Sequence, residues 1–210
     1  MQTVPCGILK SLFDKIFAIL AIIILLPLFI LIAILIKLEG LIDPEGKGPV
    51  FWAQERVSRG RNFRFYKFRI NQKTILDEEQ TARIRDRNKS LEKSEYCTRT
   101  GKLLKKWYLD ELPQLFNILK GDMSLVGPRP FPVDDHEDDL RMGIIYKSLI
   151  RAGLTGLVQM NKGNPDAKSY VEYDKEYFEY CLEHNQISRF FYDLRIIVRT
   201  ARTILQGKGL

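Results

Sequence analysis

Histidine and cysteine are scarce in this 210-residue chain: two histidines, His136 and His184, and three cysteines, Cys6, Cys97 and Cys181. Two histidines leave little room for a His-based metal centre, and no two cysteines stand close enough in sequence for a metal clip. Three scattered cysteines exclude a disulfide-stapled mini-domain and fit a reducing compartment. Acidic residues are outnumbered, 26 against 33 lysines and arginines, for a formal charge of +7. The apolar fraction of 45% and aromatic fraction of 11% exclude a disordered tail. The length suits one ordinary domain.

The apolar residues are unevenly spread. Ile16 to Ile36 runs 21 residues without a polar side chain, and about 20 suffice to cross a bilayer core. A soluble core helix keeps polar residues on at least one face, so the run predicts membrane insertion. It is too long for a cleaved signal, and Lys37-Leu38-Glu39-Gly40 is no small-residue cleavage site. Pro27 lies near its middle and removes one helical hydrogen bond. Lys10 and Lys15 precede the run and Lys37 and Lys47 follow it, so both ends claim the positively charged, cytoplasmic side. A hairpin breaking at Pro27 satisfies both ends; a kinked single span satisfies one. The residues alone leave these two open.

Beyond Gly40 the composition changes. Glu45 to Pro49 forms a turn-rich linker. Val50 to Ala53 and Phe63 to Phe68 read as short strands, with a hairpin turn across Arg56 to Asn62. Residues 71 to 100 are polar and charged and read as a surface helix or loop. From Ala53 to Tyr108 there are 16 lysines and arginines against 7 acids, a field suited to a phosphate-rich partner.

Leu112, Leu115, Phe116 and Leu119 then recur at helical spacing. Pro113 belongs in a first turn and Gly121 at a C-terminal stop, which predicts a helix beginning close to Asp110. Asp110 and Glu111 are thereby expected at a helix start, where anions are favoured but where ordinary capping acids are also common. Arg129 sits between Pro128 and Pro130, a rigid setting for a guanidinium that grips phosphate or carboxylate. Arg151 to Gln159 adds a glycine-flanked Thr155. The acidic stretch Asp134 to Asp139 reads as an exposed loop. In the last helix Ile187, Phe190, Phe191, Leu194, Ile197, Val198, Ala201 and Leu205 mark an apolar face. That face suits either a membrane surface or the rest of the protein.

In this order the blocks resemble a family. The apolar run with its proline, Gly48-Pro49-Val50-Phe51, Gln54-Glu55-Arg56, Tyr66-Lys67-Phe68-Arg69, Leu109 to Leu115, Lys120 to Ser124, Gly127 to Pro130 and Gly153-Leu154-Thr155-Gly156 with Gln159 resemble the bacterial sugar transferases. The form they resemble is the small, monotopic phosphoglycosyl transferase without extra domains. The resemblance implies transfer of a sugar-1-phosphate from a UDP-sugar to polyprenol phosphate, with Asp110 as covalent nucleophile, Glu111 as its acidic partner and Mg²⁺ at the diphosphate, Asp110 its ligand. It implies substrate-binding roles for Lys67, Arg69, Lys105, Arg129, Arg151, Thr155 and Gln159, and a re-entrant helix-break-helix at Pro27.

Expected partners are the UDP-sugar, undecaprenyl (polyprenol) phosphate and membrane lipid, with a homodimer as one candidate assembly and no nucleic acid. The expected location is the cytoplasmic face of a bacterial inner membrane. The expected fold is α/β and helix-rich: a re-entrant hairpin over residues 1–40, then a compact catalytic domain over 41–210 with few short strands and an interfacial C-terminal helix. The chain departs from the family pattern at Leu26 before Pro27, at Ile70-Asn71, at Ala152, at Lys105 and at Lys162, where the family often carries other residues. Two other classes fit the charge alone: a membrane-anchored scaffold and a nucleic-acid binder stacking bases on the Phe63 to Phe68 stretch.

Overall fold

A computed structural model describes residues 3–4, 7–81 and 94–205; Cys6 and part of the polar stretch before residue 94 lie outside them. Helix α1 covers Ile8–Ile42. A hairpin follows, β1 Phe51–Ser58 and β2 Arg61–Phe68, then α2 Lys73–Thr81 and α3 Arg99–Lys106. A 3-10 turn at Leu109–Glu111 leads into α4 Gln114–Lys120 and β3 Ser124–Val126. The chain continues through α5 Val133–Arg141, α6 Tyr146–Leu149, β4 Gly153–Thr155 and α7 Leu157–Met160. It ends with α8 Tyr170–Glu183 and α9 Gln186–Leu205. The protein is thus helix-rich with few strands, as the sequence implies.

The hairpin is longer and its turn tighter than the residue types suggest. Ser58 pairs with Arg61 and Phe51 with Phe68, so the turn is only Arg59-Gly60, both at positive φ (52° and 70°). That geometry matches the right-handed twist of the flanking strands. Arg56, expected in the turn, is a buried strand residue whose Nη1 donates to the Pro130 carbonyl at 2.7 Å. The second sheet is parallel, Ser124 facing Gly153 and Val126 facing Thr155. Gly153 permits it: a Cβ there would fall 2.1 Å from the Gly127 nitrogen.

Helix α1 is long and apolar enough to cross a membrane, and Pro27 lies inside it without ending it. Both ends are tied to the same body. Near the start, Asp14 is buried against β3, its carboxylate accepting from Ser124 Oγ at 2.7 Å. Near the end, Glu39 accepts from the Arg99 and Thr100 amides at 2.6 and 3.1 Å, closing free N–H groups at the start of α3. Between them one stripe is buried: Ala18, Phe29, Ile32 and Ile36. The Phe29 ring lies 5.3 Å from that of Phe68 and 5.8 Å from that of Phe116. The opposite stripe, Ile23, Ile24 and Ile30 among it, is exposed. A boundary at residue 40 therefore does not separate two cores; Ala18 belongs to the cluster of Phe65, Leu115, Met123 and Ile196.

One further expectation changes, and the structure bears on one left open. The acidic stretch is the helix α5, and Asp139 within it is buried, bonded to Lys147 Nζ at 3.2 Å and to the Tyr170 hydroxyl at 2.7 Å. A helix spaces consecutive acids around its axis, so one faces inward and finds a cation while others face water. In α9 the buried face is Asp193, Ile196 and Thr200, whereas Ile187, Phe191, Leu194 and Val198 are exposed. The apolar stripe is therefore divided: those four residues are exposed, Ile197 packs against the core cluster, and Phe190 meets Phe13 of α1 with rings edge to face at 5.0 Å.

Candidate active site

The helix expected at Asp110 begins later. Leu109–Glu111 forms the 3-10 turn, Pro113 caps α4, and α4 starts at Gln114. Proline has no N–H to offer an α-helix beginning upstream of it, so the chain tightens to a 3-10 turn first. Tyr108, just before it, adopts a left-handed conformation (φ 54°), an outlier for a bulky side chain of a kind that recurs at functional sites. The result is convergence where α-helical spacing would set the two carboxylates apart. Asp110 Oδ2 and Glu111 Oε1 lie 3.3 and 3.2 Å from one ammonium, Lys67 Nζ. Lys67 comes from β2, held against α4 because the buried Asn117 side chain accepts from the Tyr66 amide and donates to the Arg64 carbonyl. Arg129 Nη2 reaches Glu111 Oε1 at 3.1 Å.

The two carboxylates are electrostatically unequal. Burial pushes Asp110 up, and the Lys67 charge offsets this only in part. Burial pushes Glu111 the same way, but Arg129 and Lys67 together overcome it and hold its carboxyl far below the usual range. Glu111 is thus a fixed anion committed to two cations. Asp110 is the carboxylate whose negative charge is unfavourable in the resting site. Pairs of acids pushed apart in this way mark a division of roles.

Glu111 and Arg129 open onto a cavity of about 540 Å³. Part of its apolar lining comes from α1: Phe17, Ala21 and Leu25. Thr155 and Gln159 line it as expected; the Thr155 hydroxyl donates to the Leu125 carbonyl at 2.8 Å, and Gln159 Oε1 is buried without a hydrogen-bond partner among the described residues. Tyr108, Lys162, Thr200 and Thr203 line it as well. Lys162 Nζ bonds the Tyr108 hydroxyl at 2.6 Å.

Asp110 and Lys67 do not line this cavity and connect to it through the Lys67–Glu111 ion pair, and three other expected contacts lie elsewhere. Arg69 is only 2% exposed and donates to the carbonyls of Gly46, Pro49 and Asn71. Strict alternation would set it on the same face as Lys67, but β2 ends at Phe68. Beyond the strand its guanidinium is free to turn to the linker after α1, which it fastens. Arg151 lines a different, basic cavity with Arg59, Arg61 and Lys120. Lys105 does not line the cavity of Glu111 and Arg129; its charge is felt at Cys97. Pro27 does not line the cavity either.

Among the described residues no group of three or more His, Cys, Asp or Glu side chains can hold a metal ion. Mg²⁺ commonly takes one or two carboxylates and completes its shell with water and substrate phosphates. Asp110 fits that limited role, since it pairs with Lys67 alone among the described residues, whereas Glu111 is engaged by two cations.

The chain belongs to the bacterial sugar transferase family, which it matches over residues 6–207. It is 37% identical over 205 residues to the UDP-N-acetylgalactosamine-undecaprenyl-phosphate N-acetylgalactosaminephosphotransferase of Aeromonas hydrophila, covering 93% of this chain and 43% of that protein. It is 35% identical to the undecaprenyl-phosphate galactose phosphotransferase of Salmonella typhimurium, covering 96% and 41%. It is 34% identical to the UDP-glucose:undecaprenyl-phosphate glucose-1-phosphate transferase of Xanthomonas campestris pv. campestris, covering 95% and 39%. The chain spans less than half the length of these three relatives.

Proposed function

We propose that this chain transfers a sugar-1-phosphate from a UDP-sugar to undecaprenyl phosphate, in two displacements at Asp110. The observation that carries the reading is the ion-pair cluster of two adjacent buried carboxylates with Lys67 and Arg129, of which Glu111 and Arg129 line a cavity walled in part by the apolar helix α1. Three relatives named for different donor sugars support the reaction class and leave the sugar itself open. In the first displacement an Asp110 carboxylate oxygen attacks the phosphorus that carries the sugar. The bond from that phosphorus to the bridging oxygen breaks, and UMP leaves with the oxygen. In the second, a phosphate oxygen of undecaprenyl phosphate attacks the same phosphorus and the Asp110 carboxylate is released. A covalent intermediate of this kind divides one transfer into two easier steps. Mg²⁺ bound beside Asp110 would neutralise the donor diphosphate. Lys67 keeps Asp110 ionisable against its burial, Glu111 anchors Lys67 and Arg129, and the guanidinium of Arg129 faces phosphate oxygens in both steps. The apolar wall of Phe17, Ala21 and Leu25 suits the prenyl end of the acceptor.

The test is release of UMP by the purified protein from a panel of UDP-sugars with undecaprenyl phosphate and Mg²⁺, with intact mass reporting the phosphosugar adduct. No UMP from any donor would defeat the reading. Arg129→Lys keeps the charge and loses the planar fork, so kcat is expected to fall roughly tenfold or more, the equivalent of one charge-assisted hydrogen bond at about 1.5–3 kcal/mol. Steady-state kinetics at saturating Mg²⁺ check it.

We further propose that α1 enters and leaves the same, cytoplasmic leaflet of the inner membrane. Its exposed stripe meets lipid while Asp14 and Glu39, on either side of Pro27, stay docked on one body. A cysteine at Thr3, in a chain lacking the other three, is expected to resist an impermeant thiol reagent in intact cells and to react after permeabilisation. Labelling in intact cells would mean a true span.

A further inference from the structure

We propose that α1 is a positioning element for Arg129 as well as an anchor, through Lys10 and Asp14, which grip three consecutive residues of β3. The inference rests on the reading of Arg129 as a phosphate-facing group. Lys10 and Asp14 stand one helical turn apart and so share a face. Asp14 is 2% exposed; its Oδ2 accepts from Ser124 Oγ at 2.7 Å and its Oδ1 from the Leu125 amide at 3.3 Å. Lys10 Nζ donates to the Val126 carbonyl at 3.1 Å and pairs with Asp193 of α9. Tyr177 of α8 donates to Asp193 at 2.8 Å and approaches the same Val126 carbonyl at 3.4 Å.

Strand β3 ends at Val126, and the next residues are Gly127-Pro128-Arg129. Pro128 and Pro130 stiffen that turn. Its other side is also fixed, since Gly127 donates to the Thr155 carbonyl at 3.0 Å and Arg56 holds the Pro130 carbonyl. A shift of β3 is therefore passed on to Arg129, whose contact with Glu111 is a 3.1 Å bond. Anchoring alone does not call for two charged side chains at the head of an apolar helix. The buried stripe of Ala18, Phe29, Ile32 and Ile36 already holds α1, and apolar burial is non-directional. Charge-assisted hydrogen bonds add the direction that apolar contact lacks.

The test uses the full chain in phosphatidylglycerol–phosphatidylethanolamine vesicles. Asp14→Leu leaves the helix apolar and able to insert. It is expected to lower kcat about tenfold with KM for the UDP-sugar unchanged within about twofold, while Asp14→Asn, which keeps an acceptor oxygen, stays within about threefold of wild type. In an Arg129→Met background Asp14→Leu is expected to have little further effect, because coupled residues are not additive. Hydrogen exchange gives an answer independent of turnover: the amides of residues 124–127 and 129 should exchange faster in Asp14→Leu, with α4 unchanged. Should Asp14→Leu fail to fold, Ser124→Ala removes one of the same bonds and is read in the same cycle. Wild-type kcat and unchanged exchange in these variants, or an equal loss in the Arg129→Met background, would overturn the positioning role. Absence of turnover in the wild-type chain would defeat the proposed reaction alone, and the exchange result would still decide this inference.

Discussion

Asp110→Asn protein is expected to fold, to insert and to lose essentially all turnover, by about 10⁴-fold or more, the scale seen when a nucleophile is removed. Intact mass should show no phosphosugar adduct on it after incubation with donor. The same change is expected to raise thermal stability. Burial lifts the Asp110 pKa above its ordinary value, so ionisation of Asp110 destabilises the fold: the penalty is absent well below the unfolded pKa and grows as pH rises through it. An uncharged amide removes that penalty, and a gain of about 1 kcal/mol raises the melting temperature of a chain this size by about 2–4 °C. Adduct on the Asn variant would remove Asp110 from the nucleophile's place. A fall in melting temperature at neutral pH would instead mean that the Lys67 contact outweighs desolvation.

Lys67→Met should produce the second largest effect. Lys67 Nζ is the ammonium that both carboxylates share, and its side chain is only 12% exposed. Removing one partner of a buried pair typically costs about 3–5 kcal/mol because a buried charge is left uncompensated; here Arg129 still serves Glu111, and Asp110 loses its ion pair. Turnover is expected to fall about 100-fold or more, the equivalent of about 2.7 kcal/mol. The pH profile gives the sharper reading. The Lys67 charge lowers the Asp110 pKa against burial, so without it Asp110 ionises only at higher pH. The acidic limb of kcat/KM should therefore move upward in pH, and raising the pH should restore part of the lost activity. An acidic limb that stays in place would show that another group governs it.

Local pattern carried a good part of this protein. The apolar run needed only its length to announce α1. Asp110-Glu111 and Arg129 stand out by residue type and setting, their roles and that of Lys67 follow from the family resemblance, and the structure gathers all four within one set of ion pairs. Alternation over Phe63 to Phe68 was enough for a strand, although the turn proved to be Arg59-Gly60 alone.

What local pattern did not settle was which way a charged side chain turns. Arg69 and Arg151 read as ligand-facing cations, yet Arg69 commits its donors to three backbone carbonyls and Arg151 borders another cavity. Arg56, taken for a turn residue, holds the Pro130 carbonyl. Lys10 read as a flanking charge beside the membrane and instead reaches Val126. Most of these partners lie far away in sequence, so no window of neighbouring residues contains them. Sequence by itself determined the apolar helix and the hairpin, because helix and strand periodicity and turn chemistry are short-range, whereas the roles expected of Asp110 and Glu111 came only from the order of blocks that resembles the family. Only the tertiary structure decided that both ends of α1 dock on one body and that the two carboxylates meet at one ammonium. Those outcomes depend on which surfaces bury each other, and long-range burial is set by the assembled core rather than by any single segment.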